Sequence, residues 1–336
     1  MAHDVSVMGA VYREVPSVLL PDQQGTLNQF TDVSDTTAAA ADVASGKYFY
    51  TSEGVRTAGT SEGGGGGGDD TDFANTIMRS GAITRIPDSV TTIGDYAFSN
   101  CTNLAFTELP SGVTSIGQSA FYDCTSLALT ELPSGVTRIG VNAFYNCTSL
   151  ALTELPSGVT RIGGSAFQGC TSLALTELPS GVTSIGGSAF QGCTSLALTE
   201  LPSGVTTISS SVFYNCTSLA LTELPSGVTS IGGSAFQNCI GLQQLDAQNV
   251  GTIGSYAFSG CHSLTELVLR KSDTACKLSN VSAFASTPMR GYNGMSGTIY
   301  VPSALISTYQ TATNWSTLYN AGHLTFAAIE GSKWEL

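Results

Sequence analysis

Residues 124–147 read CTSLALTELPSGVTRIGVNAFYNC, and residues 148–170 repeat the message almost letter for letter as TSLALTELPSGVTRIGGSAFQGC. Working outward, cysteine recurs every 23 residues at Cys101, Cys124, Cys147, Cys170, Cys193, Cys216 and Cys239, and Cys261 follows after 22. Isoleucine keeps the same step from Ile93 through Ile139 to Ile253, phenylalanine from Phe98 through Phe144 to Phe258, and leucine from Leu104 through Leu150 to Leu264. One copy alone has a handful of apolar side chains and nothing to bury them against. Stacked copies bury them in a continuous core, so each coil depends on its neighbours. The expected fold is a repeat solenoid.

Within a coil, Leu127, Leu129 and Leu132 suit a short extended piece that Pro133 ends. Ser134-Gly135 turns the chain, Val136 and Ile139 suggest a second extended piece, and Ala143-Phe144 sends an aromatic into the core. Parallel pairing of equivalent pieces sets coils ~4.8 Å apart, so eight of them make a rod on the order of 40 Å long. A period of about 20–29 residues is the mark of a leucine-rich repeat. The pattern I-G-x-x-A-F-x-x-C-x-x-L followed by L-P-x-x-V-T resembles the BspA-like leucine-rich repeats of bacterial surface and phage-associated proteins, over roughly residues 86–284. One departure stands out. Repeats through Leu224 place the second leucine two residues after the first, as in Leu127 and Leu129, where the family's spacing is three. Leu242 and Leu245, and Leu264 and Leu267, keep the spacing of three. A local change in how the extended piece faces the core is expected there.

The boundaries follow from where the pattern stops. Residues 63–68 are six glycines, a linker with no packing capacity. They separate a small β-rich N-terminal module, residues 1–62, from a helical N-terminal cap at 69–85 and the solenoid at 86–269. The cap reading rests on Asp69, Asp70 and Asp72 ahead of Phe73-Ala74-Asn75-Thr76-Ile77-Met78. Residues 270–336 read as an α+β C-terminal cap: a strand at Thr298–Val301, a helix opened by Pro302, and a strand at Leu324–Ile329. Its TIYVPSAL…ATNWSTL looks like the cap on similar gut phage and bacterial repeat proteins. In the first module, the stretch from Ala41-Asp42-Val43 through Gly46-Lys47 to Gly54 and Gly59-Thr60 resembles tail-associated proteins of phages that infect Gram-positive hosts.

Net charge is −13 over 336 residues, and no lysine lies between Lys47 and Lys271. Such a chain repels nucleic-acid backbones and anionic membranes, so neither is expected as a partner. No signal peptide and no run of the ~18 apolar residues that a membrane span needs is visible. His3, His262 and His323 are the only histidines and share no metal-ligand or triad spacing. No enzyme activity, cofactor or metal is expected. Two ladders have a second reading. The once-per-coil cysteines are buried thiols or a soft-metal array, and the exposed row Glu108, Glu131, Glu154, Glu177, Glu200 and Glu223 is solvated or binds Ca²⁺.

Copies differ from one another mainly around I-G-x-x-A-F-x-x-C. The changing residues include Tyr96, Tyr122, Asp123, Asn142, Tyr145, Asn146, Gln168, Gln191, Tyr214, Asn215, Gln237 and Tyr256. Stacking aligns positions that recur once per coil, so these define a candidate ligand-binding edge, with Tyr122, Tyr145 and Tyr214 exposed along it. Their side chains suit stacking on sugars and hydrogen bonding to them; drift at surface positions is the other account. The resemblances imply a phage tail-associated adhesin, located on the virion or outside the cell. Its solenoid meets a host cell-surface glycan or protein, and residues 1–62 meet tail or baseplate components. A bacterial surface or released adhesin, and a structural spacer that binds through its C-terminal cap, are the alternatives. Homo-oligomerisation is left open.

Overall fold

In the computed structural model every Val-Thr-x-Ile stretch but Val205–Ile208 closes on a two-residue strand whose isoleucine is buried. Thr92–Ile93, Ser115–Ile116, Arg138–Ile139, Arg161–Ile162 and Ser184–Ile185 pair in that order as one parallel sheet, repeat position on repeat position. Ser230–Ile231, Thr252–Ile253 and Lys277–Leu278 form a second parallel sheet. The register is the sequence period made visible: Ile116 lies opposite Ile139, and Ile139 opposite Ile162.

The chain divides into two compact units, Met1–Pro87 and Asp88–Leu336. The structure describes the backbone of six short strands between Ala2 and Ala58, then Ile86, Asp88 and residues 90–335. In the first unit Ala2–Val7 pairs with Ala10–Pro16, Leu19–Pro21 with Leu27–Gln29, and Tyr48–Tyr50 with Arg56–Ala58, all antiparallel. Those hairpins are the β-rich module expected near the N-terminus. The hexaglycine run, the helical cap expected at 69–85 and most of the Ala41–Thr60 segment lie outside the described residues.

The gap between the two solenoid sheets has a single-residue cause. Glycine follows the isoleucine at Gly117, Gly140, Gly163, Gly186, Gly232 and Gly254. A Cβ on Gly140, Gly163 or Gly186 would lie 2.4–2.5 Å from backbone atoms of the coil before. At this column the backbones touch, and each glycine N–H donates to the isoleucine carbonyl one coil back, as Gly140 does to Ile116 at 3.0 Å. Ser209 occupies the column instead. Its Oγ donates to the Ile185 carbonyl at 2.8 Å in place of the backbone N–H. No strand pairing joins Ile185 to Ile208, and Ile208 bridges forward to Ile231 alone.

A second ladder runs along the turns. The N–H groups of Ser119, Phe121 and Asp123 donate to Val141, Ala143 and Tyr145 in the next coil, at 2.7–2.8 Å. Asn142, Phe144 and Asn146 repeat this toward Gly164, Ala166 and Gln168, and the pattern holds to Phe258 and Gly260, which reach Ala283 and Ala285. Along this edge every such bond points the same way. Left-handed backbone at two columns makes that geometry: Ser119 and Asp123 have φ of 49° and 56°, Asn142 and Asn146 of 54° and 56°.

Inside, nine phenylalanines from Phe98 to Phe284 stack ring on ring with centroids 5.3–5.9 Å apart. Aromatic pairs add ~0.5–1.5 kcal/mol each beyond their buried area, so the column ties coils together more firmly than an aliphatic one of equal area. Each cysteine Sγ–H from Cys124 to Cys261 donates to a phenylalanine carbonyl of the preceding coil, as Cys147 does to Phe121 at 3.0 Å.

The extended piece expected at Leu127–Leu132 is not a paired strand. All three leucines are buried, but one backbone bond per coil joins these segments, such as Ala151 N–H to the Leu129 carbonyl at 3.1 Å. Turning both Leu127 and Leu129 inward two residues apart, and then Leu132, bows the chain away from a flat ladder. Where the leucine spacing becomes three, regular strands return. Gln244–Asp246, Glu266–Val268, Gly297–Val301 and Leu324–Ala328 form a four-stranded parallel sheet.

The C-terminal cap closes the aromatic column. Phe284 meets Trp315 at 5.7 Å, and Trp315 packs edge-on to Tyr309 and Phe326. The Trp315 Nε1–H donates to the Cys276 carbonyl at 2.6 Å, while the Tyr309 hydroxyl accepts from the Cys276 N–H at 2.8 Å. Two short helices, α1 at Ile306–Thr311 and α2 at Trp315–Asn320, carry these rings. Pro302 precedes a 3-10 turn at Ser303–Leu305 that leads into α1.

Candidate functional site

The twelve residues of the candidate edge fall into two groups once the backbone is known. Tyr96, Asp123, Asn142, Asn146, Asn215 and Tyr256 sit in the left-handed region, with φ between 54° and 59°. That conformation costs an ordinary L-residue about 1–2 kcal/mol and is met most readily by Gly, Asn and Asp. The column Asn100, Asp123, Asn146, Gly169, Gly192, Asn215, Asn238 and Gly260 is left-handed throughout, so its alternation of Asn, Asp and Gly follows from the backbone. Tyr96 and Tyr256 are the exceptions. They stand where neighbouring coils carry Ser or Asn, and are 45% and 50% exposed, so bulk is placed there against backbone preference.

Tyr122, Tyr145, Gln168, Gln191, Tyr214 and Gln237 form the other group. Each follows the buried phenylalanine of its coil, has ordinary backbone, and is half-buried rather than fully exposed. The hydrogen-bonded turns align them one per coil. Tyr122 and Tyr145 stack at 4.6 Å with planes 7° apart, and burial in that stack, with Asp123 and Tyr145 adding, raises the Tyr122 pKa above the usual phenol value. Two coils carrying glutamine separate this pair from Tyr214. At one end, Gln118 Nε2 donates to the Tyr96 hydroxyl at 2.6 Å; toward the other, Asn238 Nδ2 donates to Asn215 Oδ1 at 2.8 Å. Chemically, the edge offers a flat phenol platform followed by carboxamides, suited to stacking and two-way hydrogen bonding.

The other ladders have settled positions. Burial raises the pKa of the thiols from Cys124 to Cys261, and all nine cysteines are buried and unbridged. The six ladder glutamates are exposed. Among the described residues, no group of three or more His, Cys, Asp or Glu side chains could hold a metal ion. Among the same residues, no helix is long and apolar enough to cross a membrane.

Sequence reasoning passed over Gln244, Asp246, Arg270 and Trp334, which the structure gathers around one polar cleft. The available signal was the collapse of SLALTELPSGVT into GLQQLDAQNVGT at residues 241–252.

The family described as BspA type leucine rich repeat region matches residues 70–197 and 194–309, in six copies. Among solved structures, the chain is similar to the T. pallidum leucine rich repeat protein, at 33% identity, covering 54% of this chain and 74% of that one, with a TM-score of 0.39. It is also similar to a leucine rich cell surface protein from Faecalibacterium prausnitzii, at 27% identity over 74% of this chain and 79% of that one, with a TM-score of 0.41. No curated protein matches it.

Proposed function

The chain belongs to the BspA-type leucine-rich repeat family, and from that premise we propose that it is a non-enzymatic adhesin of a phage tail. In this reading the solenoid recognises a host cell-surface glycan or protein, and residues 1–62 join it to tail or baseplate components. The observation that carries the binding role is the aligned column Tyr122, Tyr145, Gln168, Gln191, Tyr214 and Gln237, one polar or aromatic group per coil. A row of like groups at a fixed step holds a repetitive polymer through many weak contacts, and avidity then exceeds any one of them. Cell-wall glycans are such polymers. The virion assignment is supported by the likeness of Ala41–Thr60 to tail-associated proteins.

The test is a triple variant, Tyr122→Ala, Tyr145→Ala and Tyr214→Ala, measured for binding to Gram-positive host cells alongside the parent chain. Binding is expected to fall by tenfold or more while the melting temperature moves by only a few degrees, because the phenols are half-buried on an edge. Unchanged binding by a variant that remains folded would remove the edge as the recognition surface.

A further inference from the structure

Up to Cys239 the coils repeat SLALTELPSGVT or a close variant; at residues 241–252 that run gives way to GLQQLDAQNVGT. The new polar residues are not scattered. Gln244 and Asp246 come from one strand of the four-stranded sheet, Arg270 follows the next strand, and Trp334 and Glu335 arrive from the tail beyond Leu324–Ala328. With Glu223 they line a shallow, open cleft of about 370 Å³. Glu223 and Asp246 are successive coil positions that bridge each other, but the tail that brings Trp334 and Glu335 has no counterpart in the repeat. Departure from a locally consistent pattern is where function is expected to show.

The charges in the cleft are largely answered from within. Asp246 Oδ2 accepts from Arg270 Nε at 2.7 Å and its Oδ1 from the Gln248 N–H at 3.0 Å, with side chains only 8% and 16% exposed for Asp246 and Arg270. The terminal nitrogens of Arg270 make no bond to another described residue. Lys333 Nζ pairs with Glu266 Oε2 at 2.7 Å and lies 5.2 Å from the centre of the Trp334 ring. The Trp334 Nε1–H is shut from solvent without an acceptor, which is an unstable arrangement for a lone donor.

These facts weigh against three ligand classes. A cation would find the face of Trp334 already taken by the Lys333 ammonium. An anion would meet Glu223, Asp246 and Glu335. An apolar ligand would strand Gln244, Arg270 and three carboxylates without water. A ligand whose groups both donate and accept suits what is left: carboxylates to accept, the terminal nitrogens of the guanidinium to donate, a carboxamide for either, and the indole ring for C–H contact. We propose that this cleft binds a neutral polyhydroxylated ligand, one or two hexose rings of a glycan. It uses no residue of the tyrosine–glutamine edge, and it stands whether the chain belongs to a virion or to a cell surface.

The protein carries its own reporter. It has two tryptophans, and Trp315 is fully buried, so a sugar-dependent change in indole emission reads Trp334. The full chain is titrated with lactose, cellobiose, maltose and N,N′-diacetylchitobiose. At least one is expected to give a saturable change, with affinity about tenfold weaker in Gln244→Ala at an unchanged melting temperature. Trp334→Phe is expected to lose the emission change while calorimetry still detects weakened binding. No response to any of the four sugars overturns the proposal, as does a response that Gln244→Ala leaves intact. Tighter binding of putrescine or inorganic phosphate at the same cleft overturns the neutral-ligand assignment.

Discussion

Seven cysteines, from Cys124 to Cys261, donate Sγ–H to a phenylalanine carbonyl one coil back, at 2.9–3.0 Å. Each thus links coils as well as filling space. Burial holds these thiols neutral, and the pKa of Cys261 rises to about 12. Unfolded thiols ionise near 9, so above that pH the unfolded chain loses protons that the folded chain keeps. The linkage contribution is therefore full below about pH 9 and is lost as pH climbs toward 12. Urea midpoints at pH 7 and pH 10 check this: the midpoint at pH 10 is expected to be the lower, and equal midpoints would sink the linkage argument. In the same protein at pH 8, a thiol reagent is expected to label Cys101 to Cys261 only after denaturant is added. At this scale the sequence was readable for the cysteines, whose period marked them as core. It was not readable for Asp123, Asn146 and Asn215, whose identities follow from a left-handed backbone that no side-chain pattern announces.

Between residue and rod lies the strand, and its continuity depends on absent atoms. A Cβ at Gly163 would sit 2.5 Å from backbone of the preceding coil, whereas one at the adjacent Gly164 would meet its nearest neighbour, the Gly187 carbonyl oxygen, at 3.5 Å. Gly163→Ala is expected to destabilise the chain by about 1–3 kcal/mol, the usual range for overpacking. Gly164→Ala is expected to change it far less. Equal denaturation midpoints for the two variants would discard the contact argument. Ser209 shows what the rod does with such an intrusion: it survives, and the sheet parts there. The existence and register of the coils were legible because the period of 23 fixes them. The strands at Leu127–Leu132 were misjudged because a leucine count says what is buried, not whether the backbone between can lie flat. The cleft was missed because its residues come from segments that no single motif spans.

At the scale of the whole molecule, the second unit, Asp88–Leu336, holds the continuous phenylalanine column and its tryptophan cap within itself. A chain lacking residues 1–68 is therefore expected to fold, with a cooperative melt close to that of the parent. If residues 1–62 attach the protein, that shortened chain will be missing from purified phage particles when their proteins are identified by mass spectrometry. Its presence there at parental abundance would move attachment to residues 270–336.

The turn edge, where every N–H reaches forward to the next coil, also gives the rod a direction. The coil at its start turns carbonyls outward and needs donors from whatever covers it; the last coil turns N–H groups outward and is met by the Ala283 and Ala285 carbonyls. Two copies meeting at like ends along this edge would set acceptor against acceptor or donor against donor. Coil ends can therefore continue the ladder only head to tail, the arrangement that does not close on itself and grows into filaments. Phe284, Trp315 and the helices behind them are thus more than a lid on the core. They cover the end at which a polar, self-complementary stack could otherwise be extended.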